Sequence, residues 1–351
     1  MRRRNLLFSA GGGGGADGST ATPLSIVLAE KSSGNLIIVE GSKWSASTYS
    51  STSYTPVGIV VIPGEHGVLK SGDGKTNQCG VMSIVPMSYS TPETGGTSEQ
   101  YIYWGGYGID ISGKSDGLGR TDSVIDGLVN YNTVVNVTNS ATGQKTPTGS
   151  SSYAYMPRQG SVGGTPTWSS SNYAPSPYAG SDMKSGNFNT AYSDTTKSSY
   201  NALSDFKGIV NTKILTDLAK AQSNWKTDTS ITNEYGEGYY PAACCCARFH
   251  TTGTKSFKDC TTEELKKGTG FWYLPSCGEL GYIIPRLYDI NDTISKLKTA
   301  YSVGVQLSTN YFYWSSSEYS SYLARCVYTY NGYVYNYGKD YSNYVRAFLR
   351  L

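Results

Sequence analysis

The chain has little charge and no concentration of it. Its 351 residues carry 29 Lys and Arg against 26 Asp and Glu, a net +3, without a long basic run that would neutralise a phosphate backbone. Nucleic acid is therefore not an expected partner. Long hydrophobic runs are also missing: no stretch of 18 apolar residues occurs, so no membrane-spanning helix is expected. Residues 1–8 offer three arginines but only Leu6, Leu7 and Phe8 as an apolar block before five glycines at 11–15. That block is too short for the core of a secretory signal, and no cysteine follows where a lipoprotein anchor needs one. The expectation is a chain made in a cytoplasm and then assembled into something larger.

The residues of common catalytic engines are scarce too. Only His66 and His250 are present, and neither sits in a nucleophile motif. The glycines at 11–15 lack both the preceding strand and the following Gly-Lys-Ser/Thr of a phosphate loop. Seven cysteines, three of them adjacent at Cys244, Cys245 and Cys246, do not form the even framework of a small secreted disulfide protein, so reduced, buried thiols are expected. Cys244–Cys246 with His250, Cys260 and Cys277 suggest zinc at first sight. Adjacent helical side chains, however, point about 100° apart, and no CxxC pair supports them, so no metal or cofactor is expected.

Glycine (41) and tyrosine (31) are what the chain has in quantity, with long Ser/Thr-rich stretches. This composition favours strands and turns and excludes an all-helical protein. Tyrosine also gives rigid, amphipathic contact area at low entropic cost, as binding paratopes use it.

Residues 1–20 read as a Gly-rich flexible tail and 21–54 as a small β-rich attachment segment, with strands on either side of a turn at 32–35. Residues 55–351 read as one domain. Its apolar runs at 58–62 and 81–85 are buried strands, and the aperiodic Ser/Thr/Tyr/Gly/Pro stretch at about 130–200 is a loop insertion. Helices are expected around 214–222, at 242–250 behind Pro241, and after the capping-box pair Ser276 and Glu279, with a short turn at 294–297. The last forty residues read as strands joined by hairpins at Asn331-Gly332 and at 338–340.

Three segments carry a family resemblance. Phe271-Trp272-Tyr273-Leu274-Pro275-Ser276-Cys277-Gly278-Glu279-Leu280, Tyr313-Trp314-Ser315-Ser316-Ser317-Glu318-Tyr319 and Asn343-Tyr344-Val345-Arg346-Ala347 together resemble C-type-lectin-like domains related to formylglycine-generating enzymes. Within that group the chain is most similar to the variable proteins diversified by retroelements in gut Bacteroides and their phages. The resemblance covers roughly 200–351 and, more weakly, 56–119. It implies an α+β, C-type-lectin-like fold with short helices and a twisted antiparallel sheet. It also implies a hypervariable region at about 313–346 that binds a protein or glycan on a cell surface, in a phage tail or, second, on a bacterial surface, with a homotrimer as one possible assembly.

In such systems adenine-directed mutagenesis reaches Tyr, Ser, Asp, Gly, Cys, Leu and Thr from asparagine codons, but not Lys, Glu, Gln, Met or Trp. The resemblance thus implies a ligand-binding set of Ser320, Tyr322, Leu323, Cys326, Tyr328, Tyr330, Tyr333, Tyr335, Asn336, Tyr337, Gly338, Asp340 and Tyr341. Glu318, Lys339 and Arg346 read as scaffold, with Glu318 and Arg346 forming either an ion pair or loop-bracing hydrogen bonds, while Trp272, Leu274, Trp314 and Val345 read as core. The physical pattern agrees: Tyr333, Tyr335 and Tyr337 alternate, so they share one face of a strand, and so many aromatics on turns and strands leave several in solvent. No catalytic residue is expected. The active-site cysteine pair of formylglycine-generating enzymes is not seen in the C-terminal segment, where Cys326 stands alone, and the Glu-Pro-Asn and Trp-Asn-Asp calcium signatures of sugar-binding lectins are absent.

Overall fold

The computed structural model describes residues 16–64, 69–70, 76–107, 206, 208–221, 240–319, 322–330 and 332–351. The expected insertion at 130–200, most of the glycine tail and Ser320 lie outside the described residues. The rest is an α+β arrangement of antiparallel sheets and a small number of helices.

In chain order the strands are β1 Ile26–Glu30, β2 Leu36–Val39, β3 Tyr54–Ile62, β4 Leu69–Lys70, β5 Asn77–Gln78, β6 Gly80–Ser83 and β7 Ile102–Tyr103. Helices α1 Gly208–Ala221, α2 Pro241–Arg248 and α3 Thr262–Lys267 lead to β8 Trp272–Tyr273. Helices α4 Cys277–Gly281 and α5 Leu287–Tyr301 precede β9 Phe312–Glu318, β10 Leu323–Tyr328, β11 Tyr333–Gly338, β12 Ser342–Asn343 and β13 Phe348–Arg350.

The larger sheet runs β2-β1-β3-β6-β13-β8, so the last strand of the chain inserts between β6 and β8. Its residues are apolar on both faces. Ile59, Val60, Val61, Ile62, Val81, Met82 and Leu349 are all buried, as β-branched and apolar side chains in a doubly covered sheet should be. The boundary expected near residue 54 does not exist in this sheet: β1 pairs with β3 from Ile26↔Ile59 to Glu30↔Tyr54. The segment 21–54 is one side of the main core, because Ile26, Val27, Leu28 and Ala29 have their apolar surface to bury there and do so.

The helices follow their sequence signals. Pro241 opens α2 at its first turn, and all eight residues of that helix are buried, including the three cysteines. Ser276 and Glu279 form the capping box of α4, and Thr261 and Glu264 form another at α3. The turn expected at 294–297 belongs to the fifteen-residue α5, whose Leu287, Ile290, Ile294 and Leu297 are buried on one face. The capping-box helix α4 already ends at Gly281, and Pro285 sits in the 3-10 turn Ile284–Arg286 that leads into α5. Leu274, Trp272, Trp314 and Val345 are buried, as expected of core.

A second sheet, β11-β10-β9, is antiparallel. Strands β10 and β11 pair antiparallel, as the expected hairpin requires, with Tyr328 opposite Tyr333. The second expected hairpin, at 338–340, does not. Beyond β11 the chain leaves the sheet, and β12 pairs with β7 through Ser342↔Tyr103 and Asn343↔Ile102. The buried Lys339 explains the departure: its carbonyl accepts from the Gly105 N–H, its ammonium pairs with Glu318, and it lies 4.9 Å from the Trp104 ring.

Candidate binding surface

The three-stranded sheet carries a band of aromatic rings in contact. Tyr328 stacks on Phe312 with ring centroids 4.4 Å apart, and Phe312 also meets Tyr335 at 5.2 Å and Tyr337 at 5.3 Å. The band continues from Tyr328 to Tyr330 at 5.9 Å and from Tyr337 to Tyr341 at 5.2 Å. Register explains it: Tyr328 lies opposite both Phe312 and Tyr333, and cross-strand partners share a face. Tyr330 and Tyr341 are more than half exposed, whereas Tyr328, Tyr335 and Tyr337 are half-buried.

The band extends past the predicted set. Tyr311 meets Phe312 at 6.4 Å and stacks on Tyr344 at 4.3 Å, and Tyr101 packs on both at 5.3 and 5.1 Å. Hydrogen bonding with the Tyr311 and Tyr344 side chains draws the Tyr101 hydroxyl below its usual pKa, while partial burial and Tyr101 push Tyr344 up to about 12. Tyr101, Tyr311, Phe312 and Tyr344 were missed because the first lies some two hundred residues away, Tyr311 and Phe312 precede the expected variable region at 313–346, and Tyr344 belongs to the closing segment that carries the resemblance. Tyr101 and Tyr103, two positions apart and followed by Trp104, are the signal that could have found the first of them.

Other predicted residues are placed differently. Cys326 is fully buried and cannot touch a partner: it lies on the central strand between Trp314 and Tyr335, and burial pushes its thiol well above the usual value. Asn336 alternates with Tyr335 and Tyr337 and turns the other way, accepting from Arg325 Nη1 at 2.9 Å. Leu323, partly exposed, lies opposite Gly338 on β11. At Gly338 a side chain would meet the Asp340 carboxylate at 2.5 Å and the Tyr341 ring at 2.6 Å, so the turn requires glycine unless both move. Asp340 is exposed. Tyr322 is exposed and stands against Tyr107, 5.1 Å away. Only the backbone of Tyr333 is described.

Beneath the band lies a set of buried charges. Arg346 pairs with Glu99, at 2.5 Å, and not with Glu318 as expected; its Nη2 also donates to the carbonyls of Val305 and Gln306. The same Glu99 oxygen accepts from the Tyr313 hydroxyl at 2.7 Å. Glu318 pairs instead with Lys339, and both side chains are almost wholly buried. The register is the physical reason: Glu318 sits at the end of β9 beside the turn that holds Lys339, while Arg346 has passed into the segment that returns to the main sheet. Trp314 and Trp104 tie the same layer together through Nε1 donation to the carbonyls of Ile102 and Ser315.

Cys245 and Cys246 are buried in α2 with their thiols pushed well above the usual range by burial, which disfavours the nucleophilic thiolate. Among the described residues no group of three or more His, Cys, Asp and Glu is arranged to hold a metal ion, and no helix is long and apolar enough to cross a membrane. Compared with family models, with curated proteins and with solved structures, the chain matches none of them.

Proposed function

We propose that this chain is a non-enzymatic display protein in which a C-type-lectin-like scaffold presents the aromatic band of β9–β11 to a protein or glycan on a cell surface. The observation that carries the reading is a contiguous, solvent-reaching run of rings from Tyr330 to Tyr341, laid over a layer of buried charges that holds its geometry. Exposed aromatics in contact are rare on a free surface and common in recognition patches. Their hydroxyls add hydrogen bonds without adding charge, so partners differing in shape can be met by exchanging the outermost side chains.

The resemblance supports a finer form of this reading: the outer positions Tyr322, Tyr328, Tyr330, Tyr335, Tyr337, Asp340 and Tyr341 are diversified by a retroelement, and the protein belongs to a phage or prophage tail. The unreachable residue types Trp314, Glu318 and Lys339 all fall on the buried layer, together with the scaffold residue Arg346, which is what a fixed scaffold under a varied surface requires. A fixed-specificity lectin-like surface protein is the second reading. The cluster of Tyr101, Tyr311 and Tyr344 favours it, since those rings form part of the same band without being among the diversified positions.

Sequencing the genomic neighbourhood decides between them. A near-copy of the segment encoding residues 313–346, differing where the copy has adenine and lying beside a reverse-transcriptase gene, is the expected result. Absence of both overturns diversification and leaves the fixed surface.

A further inference from the structure

A cleft of about 600 Å³ opens on another part of the molecule, lined by no residue of the three-stranded sheet. That volume lies within the range of small-molecule sites. The topology creates it. Strand β3 begins at Tyr54 but pairs with β6 only from Gly58 onward, because β6 ends at Ser83. The gap beside the first residues of β3 is walled by Ile84 and Val85, by the residues following α2, and by Tyr301 and Val303 at the end of α5.

The lining has a distinct chemistry. Tyr54, Val85, Tyr301 and Val303 present partly exposed apolar surface in its wall, backed by the buried Val57, Ile84 and Phe249, while Ser51, Thr55 and Thr251 add hydroxyls. Among the described residues, its only ionisable groups besides tyrosine are Lys31 and His250, and no Asp or Glu lines it. The Glu93 carboxylate, next to the lining residue Thr94, is paired with Arg248. Lys31 is tethered by one donation to the Ser51 carbonyl at 2.6 Å, which fixes the ammonium at the mouth. His250 Nδ1 faces the Arg248 carbonyl at 3.3 Å, which leaves Nε2 for a ligand. Tyr301 is held by donation to the Tyr49 carbonyl at 2.5 Å, so that wall is preformed. An added peptide strand is poorly served here: Pro56 has no N–H, and the Tyr54 N–H is bonded to Ser50.

We propose that this cleft is a second binding site, for a small organic anion: a carboxylate or sulfonate carried on an apolar body of one or two rings. The ring body lies against the partly exposed Tyr54, Val85 and Val303, and the anionic group meets Lys31 at the mouth.

The test uses the full chain and two fluorescent probes, 8-anilino-1-naphthalenesulfonate and its uncharged analogue N-phenyl-1-naphthylamine. The expected result is saturable binding of the sulfonate, stronger than that of the neutral probe. Lys31→Glu weakens the sulfonate at least about 10-fold, while Lys296→Glu, an exposed control outside the lining of the cleft, changes it less than about 2-fold. Thr252→Trp, at the exposed rim, blocks both probes. The double variant Tyr330→Ser/Tyr341→Ser leaves binding intact, which keeps this site distinguishable from the aromatic band. The proposal is overturned by absence of saturable binding, by equal effects of the two lysine variants, by an inert Thr252→Trp, or by loss of binding in the tyrosine double variant.

Discussion

The two principal sheets are built from different materials. The six-stranded sheet is closed on both faces by Val, Ile, Leu and Met, and burial of apolar surface holds it. The three-stranded sheet keeps a face of half-buried and exposed rings, so it cannot use the same means throughout. It is fixed instead by Lys339 with Glu318 and by Arg346 with Glu99, charges removed from water and matched to one geometry. Such pairs add less net stability than an apolar core would, but they penalise any other arrangement, since a displaced partner leaves a buried charge alone. A surface that must stay out of the core can thus still be rigid.

The strongest way to break this comparison lies where the two sheets meet. Glu279 is wholly buried, and one of its oxygens pairs with Arg350 at 2.5 Å and accepts from the Tyr273 hydroxyl at 3.2 Å; the other takes the Ser276 N–H at 2.8 Å. The start of α1 approaches so closely that a side chain at Gly208 would come within 2.2 Å of that second oxygen, and the helix N-terminus favours the negative charge. Glu279→Ala leaves Arg350 buried without its anion and should cost about 3–5 kcal/mol in urea denaturation. A loss below about 1 kcal/mol would mean that the carboxylate is incidental to the join.

A smaller loss is expected where the brace lies under the rings alone. Arg346→Ala and Glu99→Ala should each cost about 2–3 kcal/mol, because the surviving partner keeps a buried charge or loses several hydrogen bonds. The double variant should cost less than the sum of the two, as a denaturation cycle would reveal. Unchanged stability in Arg346→Ala would remove the bracing role. Cys326→Tyr comes next: the position is reachable by the proposed mutagenesis yet closed in the structure, so the larger ring overpacks the central strand and should cost about 1–3 kcal/mol. If that variant folds with unchanged stability, position 326 belongs with the exposed rings after all.

Much of this division was legible in residue types, and its exceptions are instructive. Apolar runs at 58–62 and 81–85 declared buried strands because period and composition agreed, and Ser276 with Glu279 declared a helix start because the capping pair is local chemistry. The same logic applied to Thr261 and Glu264 locates α3. Trp314, Glu318, Lys339 and Arg346 could be assigned to scaffold from their segment, but their partners could not. Glu99 is 247 residues from Arg346, and only the tertiary fold brings them together. Cys326 and Asn336 were misplaced for a related reason. Alternation along β10 and β11 separates faces, but which face is covered depends on neighbouring strands and on what packs against them.

The smallest expected effects are at the outer rings, and they sharpen the comparison most. Tyr330 and Tyr341 are 56% and 57% exposed, so replacing either with serine removes little buried area and should change stability by no more than about 0.5 kcal/mol. For a domain of this size that is a shift in melting temperature of about 2 °C or less. Tyr337 is different: its ring touches Phe312, Trp314 and Tyr341, so Tyr337→Ser should cost more than either outer change. A gradient from Tyr337 outward to Tyr330 and Tyr341 in thermal melts is what a rigid base with an exchangeable rim produces. A fall of more than about 10 °C for an outer tyrosine would place it in the core, and the rings would then hold the sheet together rather than face a partner.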